Sequence, residues 1–170
     1  SVWSPEEVLA WLAEAEAAIR YPRKKGRPGI WKDKRFSFPD LGSDAEIKVV
    51  TLTFQGIPQS AVFFPPVEKG ILKLRFHDVP RSRTMTLYYG IPDDAVLSDE
   101  ELGYVYLRIW LGQHELKRLS IPNTKGWRKA EVHLGITSFL KRNLTVDFEV
   151  SADDVRSKQF GFRAEIFFQH

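Results

Sequence analysis

Cysteine is absent from the 170 residues, and its absence excludes disulfide bonds, thiolate metal sites and a cysteine nucleophile. A chain of this length buries about 70% of the surface that its unfolded form exposes, so it can fold without a covalent or metal staple. A cysteine-free sequence suits the periplasm or the outside of a cell, and it suits the cytoplasm as well. Composition alone therefore leaves the compartment open.

No stretch of the chain combines membrane-spanning length with an uninterrupted apolar composition. The one long uncharged run, residues 49–67, contains one glycine and three prolines, which predicts a strand, a turn and a second strand. The basic and apolar regions of a signal peptide are missing where Pro5, Glu6 and Glu7 stand. We therefore expect no transmembrane segment.

The short motifs of common enzyme classes are also missing. The sequence has no G-x-S-x-G, no H-E-x-x-H and no phosphate-binding glycine loop. The adjacent acids Asp153 and Asp154 lie on a strand-ending turn, so they do not converge on one bond as the paired carboxylates of a glycosidase do. The sequence therefore predicts a protein that binds and is not an enzyme.

A helix is predicted at the N-terminus. Residues 4–7 (SPEE) supply a capping serine, a first-turn proline and a glutamate three residues after the cap. Apolar residues then recur at helical spacing as far as Ile19. Because the residue before a proline disfavours helix, Tyr21-Pro22 predicts that the helix ends near Arg20.

From about Ile47 onward the apolar period changes from helical spacing to two. Leu72, Leu74 and Phe76, for example, alternate with charged residues, and similar runs predict about nine short strands. Many short strands with one helix indicate an all-β protein, an antiparallel β-sandwich or jelly roll. We expect the sandwich to occupy residues 47–170, and the helix with its basic loop, residues 1–46, to pack on it.

Two pairs of segments in the β region carry a family resemblance. Residues 87–94 (LYYGIPDD) precede 103–110 (GYVYLRIW), and residues 126–134 (GWRKAEVHL) lead into 146–152 (VDFEVSA). This order resembles the galactose-binding-like β-sandwich modules, particularly the carbohydrate-binding type attached to bacterial glycoside hydrolases and cell-surface proteins. The resemblance implies a periplasmic or extracellular module that recognises a glycan. The alternative function is a structural or protein-interaction domain of a larger cell-envelope assembly.

The strand over residues 104–110 offers the main candidate site. If Val105, Leu107 and Ile109 face the core, the residues that share the other face are Tyr104, Tyr106, Arg108 and Trp110. Contiguous exposed aromatic residues typically mark a binding surface. Flat rings suit the apolar faces of sugars, and arginine bonds hydroxyls or acidic groups.

Two further interpretations stay open for these aromatic residues. The N-terminal helix, or the segment with Trp31, Phe36 and Phe38, could cover the strand and bury its rings. Trp127 follows a turn at residues 123–126 and begins a strand. It is a further ligand-binding candidate, and its alternative role is packing at a corner of the sandwich.

Acidic residues follow the strand that ends near Gly90. Asp93 and Asp94 offer the hard oxygen ligands that calcium takes, and calcium is common in galactose-binding-like folds, so the resemblance implies a calcium site. The spacing matches no EF-hand loop, and acidic loops are usually solvated. We therefore expect no cofactor, with a calcium site at Asp93 and Asp94 as the alternative.

Positive charge is concentrated near the N-terminus. Residues 20–35 hold eight basic residues against one acid, a charge of +7 in a chain of +3, so the remainder is −4. The exposed part of this segment would be Arg23, Lys24, Lys25 and Arg27. It predicts either a solvated loop or a surface for a protein partner, and nucleic acid is the less favoured partner because the remainder of the chain is acidic.

Overall fold

The described part of the chain contains thirteen strands, one α-helix and one short 3-10 helix, Asp93–Ala95. The computed structural model describes residues 5–41, 45–80, 84–96, 103–135, 143–155 and 159–166. The helix α1 is Pro5–Ala13. The strands are β1 (Glu16–Arg20), β2 (Arg27–Pro28), β3 (Ile30–Lys32), β4 (Arg35–Ser37), β5 (Ile47–Phe54), β6 (Ile57–Phe63), β7 (Ile71–Pro80), β8 (Thr84–Gly90), β9 (Tyr104–Leu111), β10 (His114–Pro122), β11 (Arg128–His133), β12 (Asn143–Ala152) and β13 (Gly161–Ile166).

The strands form two sheets whose neighbouring strands are antiparallel. The first sheet has the order β10-β9-β12-β7-β1-β2, and the second has the order β11-β8-β13-β6-β5-β4-β3. The predicted antiparallel β-sandwich with one N-terminal helix is therefore confirmed. Both β5 and β6 fall largely within residues 49–67, as the glycine and prolines of that run predict.

Alternating apolar residues from both sheets meet in one core. Phe148 on β12 stacks on Phe162 on β13, with ring centroids 4.7 Å apart and planes inclined by 18°. Phe64 packs edge-on against Phe162 at 5.5 Å, and all three rings are buried. The contact between Phe148 and Phe162 joins the two sheets, as the inward faces of a sandwich require.

The strand count differs from the nine that the sequence predicts. Strands β5 to β13 correspond to the nine predicted strands, and the four additional strands, β1 to β4, lie between Glu16 and Ser37. Two of these pair into the first sheet and two into the second. The segment before residue 46 thus contributes to both sheets, while the domain boundary between residues 46 and 47 stays a prediction.

The helix is shorter than predicted. It ends at Ala13 and not near Arg20, and Glu16–Arg20 is a strand that pairs with β7. Ala17 and Ile19 point into the core from this strand. Ile19 also fits the predicted helical stripe, whereas Ala17 would lie about 200° from Ile19 around a helix and off that stripe. Because β7 offers a row of backbone partners, strand pairing decides between two periods that the sequence does not separate.

Helix α1 lies against the opening between the two sheets. Val8 and Leu12 are buried, while Trp11 is 42% exposed. Val8 and Trp11 line the same apolar cavity as Phe148 and Phe162. No helix in the part of the chain that the structure describes has the length and apolar character needed to cross a lipid bilayer.

Candidate functional site

Strand β9 separates apolar from aromatic side chains as its alternation predicts. Val105, Leu107 and Ile109 are buried in the core. The side chains on the outward face are Tyr104, Tyr106, Arg108 and Trp110. Tyr104 is 47% exposed, and the other three are half-buried. The candidate residues of β9 therefore share one face of the first sheet.

Two rows of side chains cross this face, perpendicular to the strands. From β9 to β1, the first row is Trp110, Asp147, Arg75 and Glu16, and the second row is Arg108, Glu149, Lys73 and Ala18. We call these two rows, together with Tyr104 and Tyr106, the outer face of the first sheet. Adjacent strands lie about 4.8 Å apart, so the face extends about 14 Å from β9 to β1.

Asp147 holds two cations at the centre of the face. Its side chain is buried, with 3% of the residue exposed. Arg75 donates to its carboxylate from Nε at 2.8 Å and from Nη2 at 3.0 Å, and Lys73 Nζ lies 3.3 Å away. The hydrogen bond with Asp147 raises the pKa of Arg75 above its ordinary value. A bidentate pair of this kind fixes the orientation of the guanidinium group.

Glu149, in the second row of the face, is a second buried acid, and it binds a basic side chain of β1. It is 5% exposed, and its Oε2 lies 3.2 Å from Nη2 of Arg20. A buried carboxylate is tolerated when cations surround it. Asp147 and Glu149 thus keep neighbouring basic side chains ordered at the surface.

Arg108 is held between an aromatic ring and an acid. Its guanidinium carbon lies 4.6 Å from the centroid of the Trp110 ring, and Nη2 donates to Glu115. Arg118 donates to the same carboxylate at 2.8 and 3.1 Å. The hydrogen bonds from Arg118 and then Arg108 lower the pKa of Glu115 to about 2.

Two hydrogen-bond donors on this face have no protein partner. They are Arg108 Nε and Trp110 Nε1, which are buried within the described part of the chain. Unpaired buried donors are rare because they forgo hydrogen bonds with water. Both atoms belong to residues that the sequence singles out.

Asp153 positions the two tyrosines at the end of β9. Its Oδ2 accepts hydrogen bonds from Tyr106 Oη at 2.9 Å and from the Tyr104 backbone N–H at 3.0 Å. The bond to Asp153 raises the pKa of Tyr106. Gly103 has φ +72°, and a Cβ there would lie 2.6 Å from Oδ2 of Asp153. The sequence alone places Asp153 only in a turn, because its hydrogen-bond partner Tyr104 lies 49 residues away along the chain.

The elements that could have covered β9 pack elsewhere. Phe36 and Phe38 are buried in the core, and Trp31 packs on Phe36 with ring centroids 5.0 Å apart. Strands β3 and β4 lie at the far edge of the second sheet. Helix α1 inserts its apolar side between the sheets.

Trp127 lies with the second sheet and not with β9. Its ring is 4.4 Å from Phe54 and stacks nearly parallel to Tyr88, at 6.2 Å and 10°. The Arg163 guanidinium lies 4.8 Å from the Tyr88 ring. The five predicted ligand-binding residues therefore form one group of four and one separate residue, and a ligand role for Trp127 stays a prediction.

Asp93 supports a β-hairpin. Its carboxylate accepts the backbone N–H groups of Gln55 at 2.7 Å and of Gly56 at 2.9 Å, and the bond from Gly56 is the first cause of its lowered pKa. Asp94 is exposed. Within the described ranges no group of three potential metal ligands converges. The other acids of this loop, residues 99–101, lie outside those ranges, and a calcium site stays a prediction.

The basic loop is exposed at its tip. Arg23, Lys24 and Lys25 are exposed, and Lys24 Nζ lies 4.2 Å from the centroid of the Tyr21 ring. Arg27 belongs to β2 and contacts the backbone oxygen of Pro39 and the carboxylate of Asp40. A protein partner for this segment stays a prediction.

Comparison with known proteins shows a likeness of fold. No protein-family model matches the chain, and no curated protein matches its sequence. The tandem family 51 carbohydrate-binding modules of a family 98 glycoside hydrolase from Streptococcus pneumoniae match 96% of this chain with a TM-score of 0.50 and 13% identity. This chain spans 50% of that one.

Two shorter solved structures show weaker similarity. A family 51 carbohydrate-binding module of a Clostridium perfringens family 95 hydrolase, in complex with methyl-galactose, has a TM-score of 0.46 and 10% identity over 68% of this chain and 77% of its own. A family 61 module with β-1,4-galactotriose has a TM-score of 0.42 and 15% identity over 74% and 85%. The likeness of fold rests on the tandem family 51 modules, and the chain resembles those β-sandwiches in fold alone.

Proposed function

We propose that this chain is a non-catalytic module that binds a carbohydrate on the outer face of the first sheet. The observation that carries the proposal is the set of outward side chains on β9, three aromatic residues and an arginine. The fold likeness to tandem carbohydrate-binding modules supports the same function.

The aromatic side chains supply the apolar part of such a site. The ring centroids of Tyr104 and Tyr106 lie 6.3 Å apart, and the ring planes are inclined by 41°. Asp153 accepts a hydrogen bond from the hydroxyl of Tyr106 and so restrains it. The C–H faces of a sugar ring pack on flat aromatic surfaces, which lose little conformational entropy on binding. A sugar at this end of β9 would meet a Tyr106 ring whose hydroxyl is already held by Asp153.

Arg108 and Trp110 supply the polar part. Arg108 Nε and Trp110 Nε1 lack protein partners, so a sugar oxygen that reached them after a small side-chain movement would satisfy a buried donor. The basic side chains held by Asp147 and Glu149 continue the polar surface toward β1. Such preorganisation lowers the entropy cost of binding.

Three acids at or beside the centre of the outer face, Glu115, Asp147 and Glu149, support binding without catalysis. General acid catalysis needs a carboxyl group that holds a proton near neutral pH. Glu115, with a pKa of about 2, is ionised there, and both oxygens are engaged by arginine. Asp147 and Glu149 are likewise paired with cations. With this function we also infer an extracytoplasmic location, periplasmic or extracellular.

A fluorescence titration with glycans selected on an array tests the proposal. We expect a wild-type change in tryptophan emission, and loss of most affinity in Trp110→Ala. Trp11→Ala is the matched control, because Trp11 is exposed on α1 and away from β9. Unchanged affinity in Trp110→Ala, or absence of any glycan that binds the wild type, would contradict the proposed site.

A further inference from the structure

A cleft of about 720 Å³ opens at one end of the first sheet. It lies where β1 and β12 end and β7 begins. Its lining residues include Arg20, Tyr21, Lys69, Gly70, Ile71 and Ala152. The volume is within the range of small-molecule sites, roughly 300 to 1,000 Å³.

The cleft adjoins the outer face of the first sheet. Ala152, on its wall, pairs with Val105, which lies between Tyr104 and Tyr106 in β9. On the opposite wall Arg20 pairs with Ile71 and contacts Glu149 of the second row. A ligand that begins on the tyrosines of β9 and runs toward β1 would therefore reach the cleft.

The cleft is lined by cations without acids. Lys69 is exposed, and no ion pair is found for it within the described ranges. The Arg20 side chain is 60% exposed, so donors remain beyond its contact with Glu149. No aspartate or glutamate is among the described residues that line the cleft. Its walls therefore favour an anion.

A third cation is held at the rim. Lys24 Nζ lies over the Tyr21 ring at 4.2 Å from the centroid. Tyr21 in turn packs on Gly70, where an added Cβ would come within 3.0 Å of Tyr21 Cε1 and 2.9 Å of Ile19 Cγ2. Because Gly70 has no side chain, the Tyr21 ring can pack against it, and the ring in turn positions the ammonium group of Lys24.

We propose that this cleft binds an anionic sugar residue of the carbohydrate that lies on β9. The inference rests on the proposed function and deepens it: the preferred ligand is an acidic glycan, with a carboxylate or a sulfate group at Arg20 and Lys69. Arginine and lysine bind both groups by charge-assisted hydrogen bonds.

Calorimetric titrations with three matched oligosaccharides test the inference. The probes are a uronic-acid oligosaccharide, its carboxyl-reduced neutral counterpart and a sulfated form of the neutral one. We expect wild type to prefer at least one acidic probe by about tenfold, as one charge-assisted hydrogen bond allows. The preferred probe distinguishes carboxylate from sulfate.

Variants locate the preference. Lys69→Gln should lose most of the preference for the acidic probe, while Lys34→Gln should keep it. Each variant removes one positive charge from an exposed lysine, but Lys34 lies in the turn between β3 and β4, away from the cleft. Gly70→Ala should weaken the preference without changing net charge. A circular dichroism melt of each variant confirms that it is folded before titration.

The outcomes separate the two proposals. Equal affinity of wild type for acidic and neutral probes overturns the acidic site and leaves carbohydrate binding on β9 intact. An equal loss in Lys69→Gln and Lys34→Gln also overturns it, because the effect would then be long-range charge. Failure of every probe and every array glycan to bind wild type overturns the proposed function and this inference with it.

Discussion

Replacing Asp147 by asparagine perturbs the centre of the outer face. The amide would keep the shape of the side chain, but it would lose the charge that Arg75 and Lys73 share. Removing one partner of a fully buried ion pair costs about 3–5 kcal/mol. Here the cations are 39% and 31% exposed, so water can solvate them after the loss.

The expected cost is therefore smaller than for a fully buried pair. We expect Asp147→Asn to lower the free energy of unfolding by about 2 kcal/mol, the range of hydrogen bonds to charged groups. For a chain of this size the midpoint of thermal unfolding would fall by about 4–8 °C. Urea denaturation with an unchanged slope measures the difference.

Asp40→Asn is the matched control. Asp40 makes one ion pair with Arg27 at 3.5 Å, and its side chain is 85% exposed. Such a surface pair contributes less than about 1 kcal/mol. The two losses in free energy of unfolding can be compared to within about 0.5 kcal/mol, the usual error for distant sites. A smaller difference between the variants would show that buried Asp147 contributes no more than exposed Asp40, which would refute the prediction.

Three further results follow from the geometry. The Glu115 carboxyl should titrate with a pKa of about 2 by NMR, and in Arg118→Gln this pKa should move toward its ordinary value of 4.5. Because the pKa is lowered in the folded state, the stabilising contribution of Glu115 is complete above pH 4.5 and is lost as the pH falls toward 2. Phe148→Ala should cost about 3–5 kcal/mol in urea denaturation, because its ring is buried between the sheets; a loss below about 1 kcal/mol, the scale of a minor core change, would contradict this. Gly103→Ala should cost more than about 1 kcal/mol through its positive φ and the clash with Asp153, and an unchanged thermal midpoint would contradict it.

The sequence predicts the strands whose period is clear and whose partners need not be known. In β9 the alternation directly gives the buried set, which includes Leu107. In β12 it gives the core-facing residues such as Val150, but not the burial of Asp147 and Glu149 on the opposite face. Strand β1 escapes prediction because Ile19 continues the helical stripe of Val8, Leu12 and Ala15, and the small Ala17, on the opposite side of such a helix, is a weak signal for a strand, so helix and strand both remain open. Only the backbone partner, β7, decides between them, and that partner lies more than 50 residues further along the chain, where Ala17 pairs with Leu74.

The candidate site is predictable only within one strand. Alternation places Tyr106, Arg108 and Trp110 together, but it contains no information on which sheet receives Trp127. Likewise, the ion pairs of Asp147 and Glu149 depend on the order of strands, since Arg75 and Arg20 come from β7 and β1. Non-local pairing of this kind is set by the whole topology and not by a local pattern.

The most direct test of carbohydrate binding on β9 is the tryptophan indole region of a ¹H–¹⁵N NMR spectrum during titration with an array-selected glycan. We expect the Nε1–H signal of Trp110 to shift in proportion to saturation, while the signals of Trp11 and Trp127 stay in place. A saturable shift of the Trp127 signal with an unmoved Trp110 signal would place the ligand on the second sheet and contradict carbohydrate binding on β9.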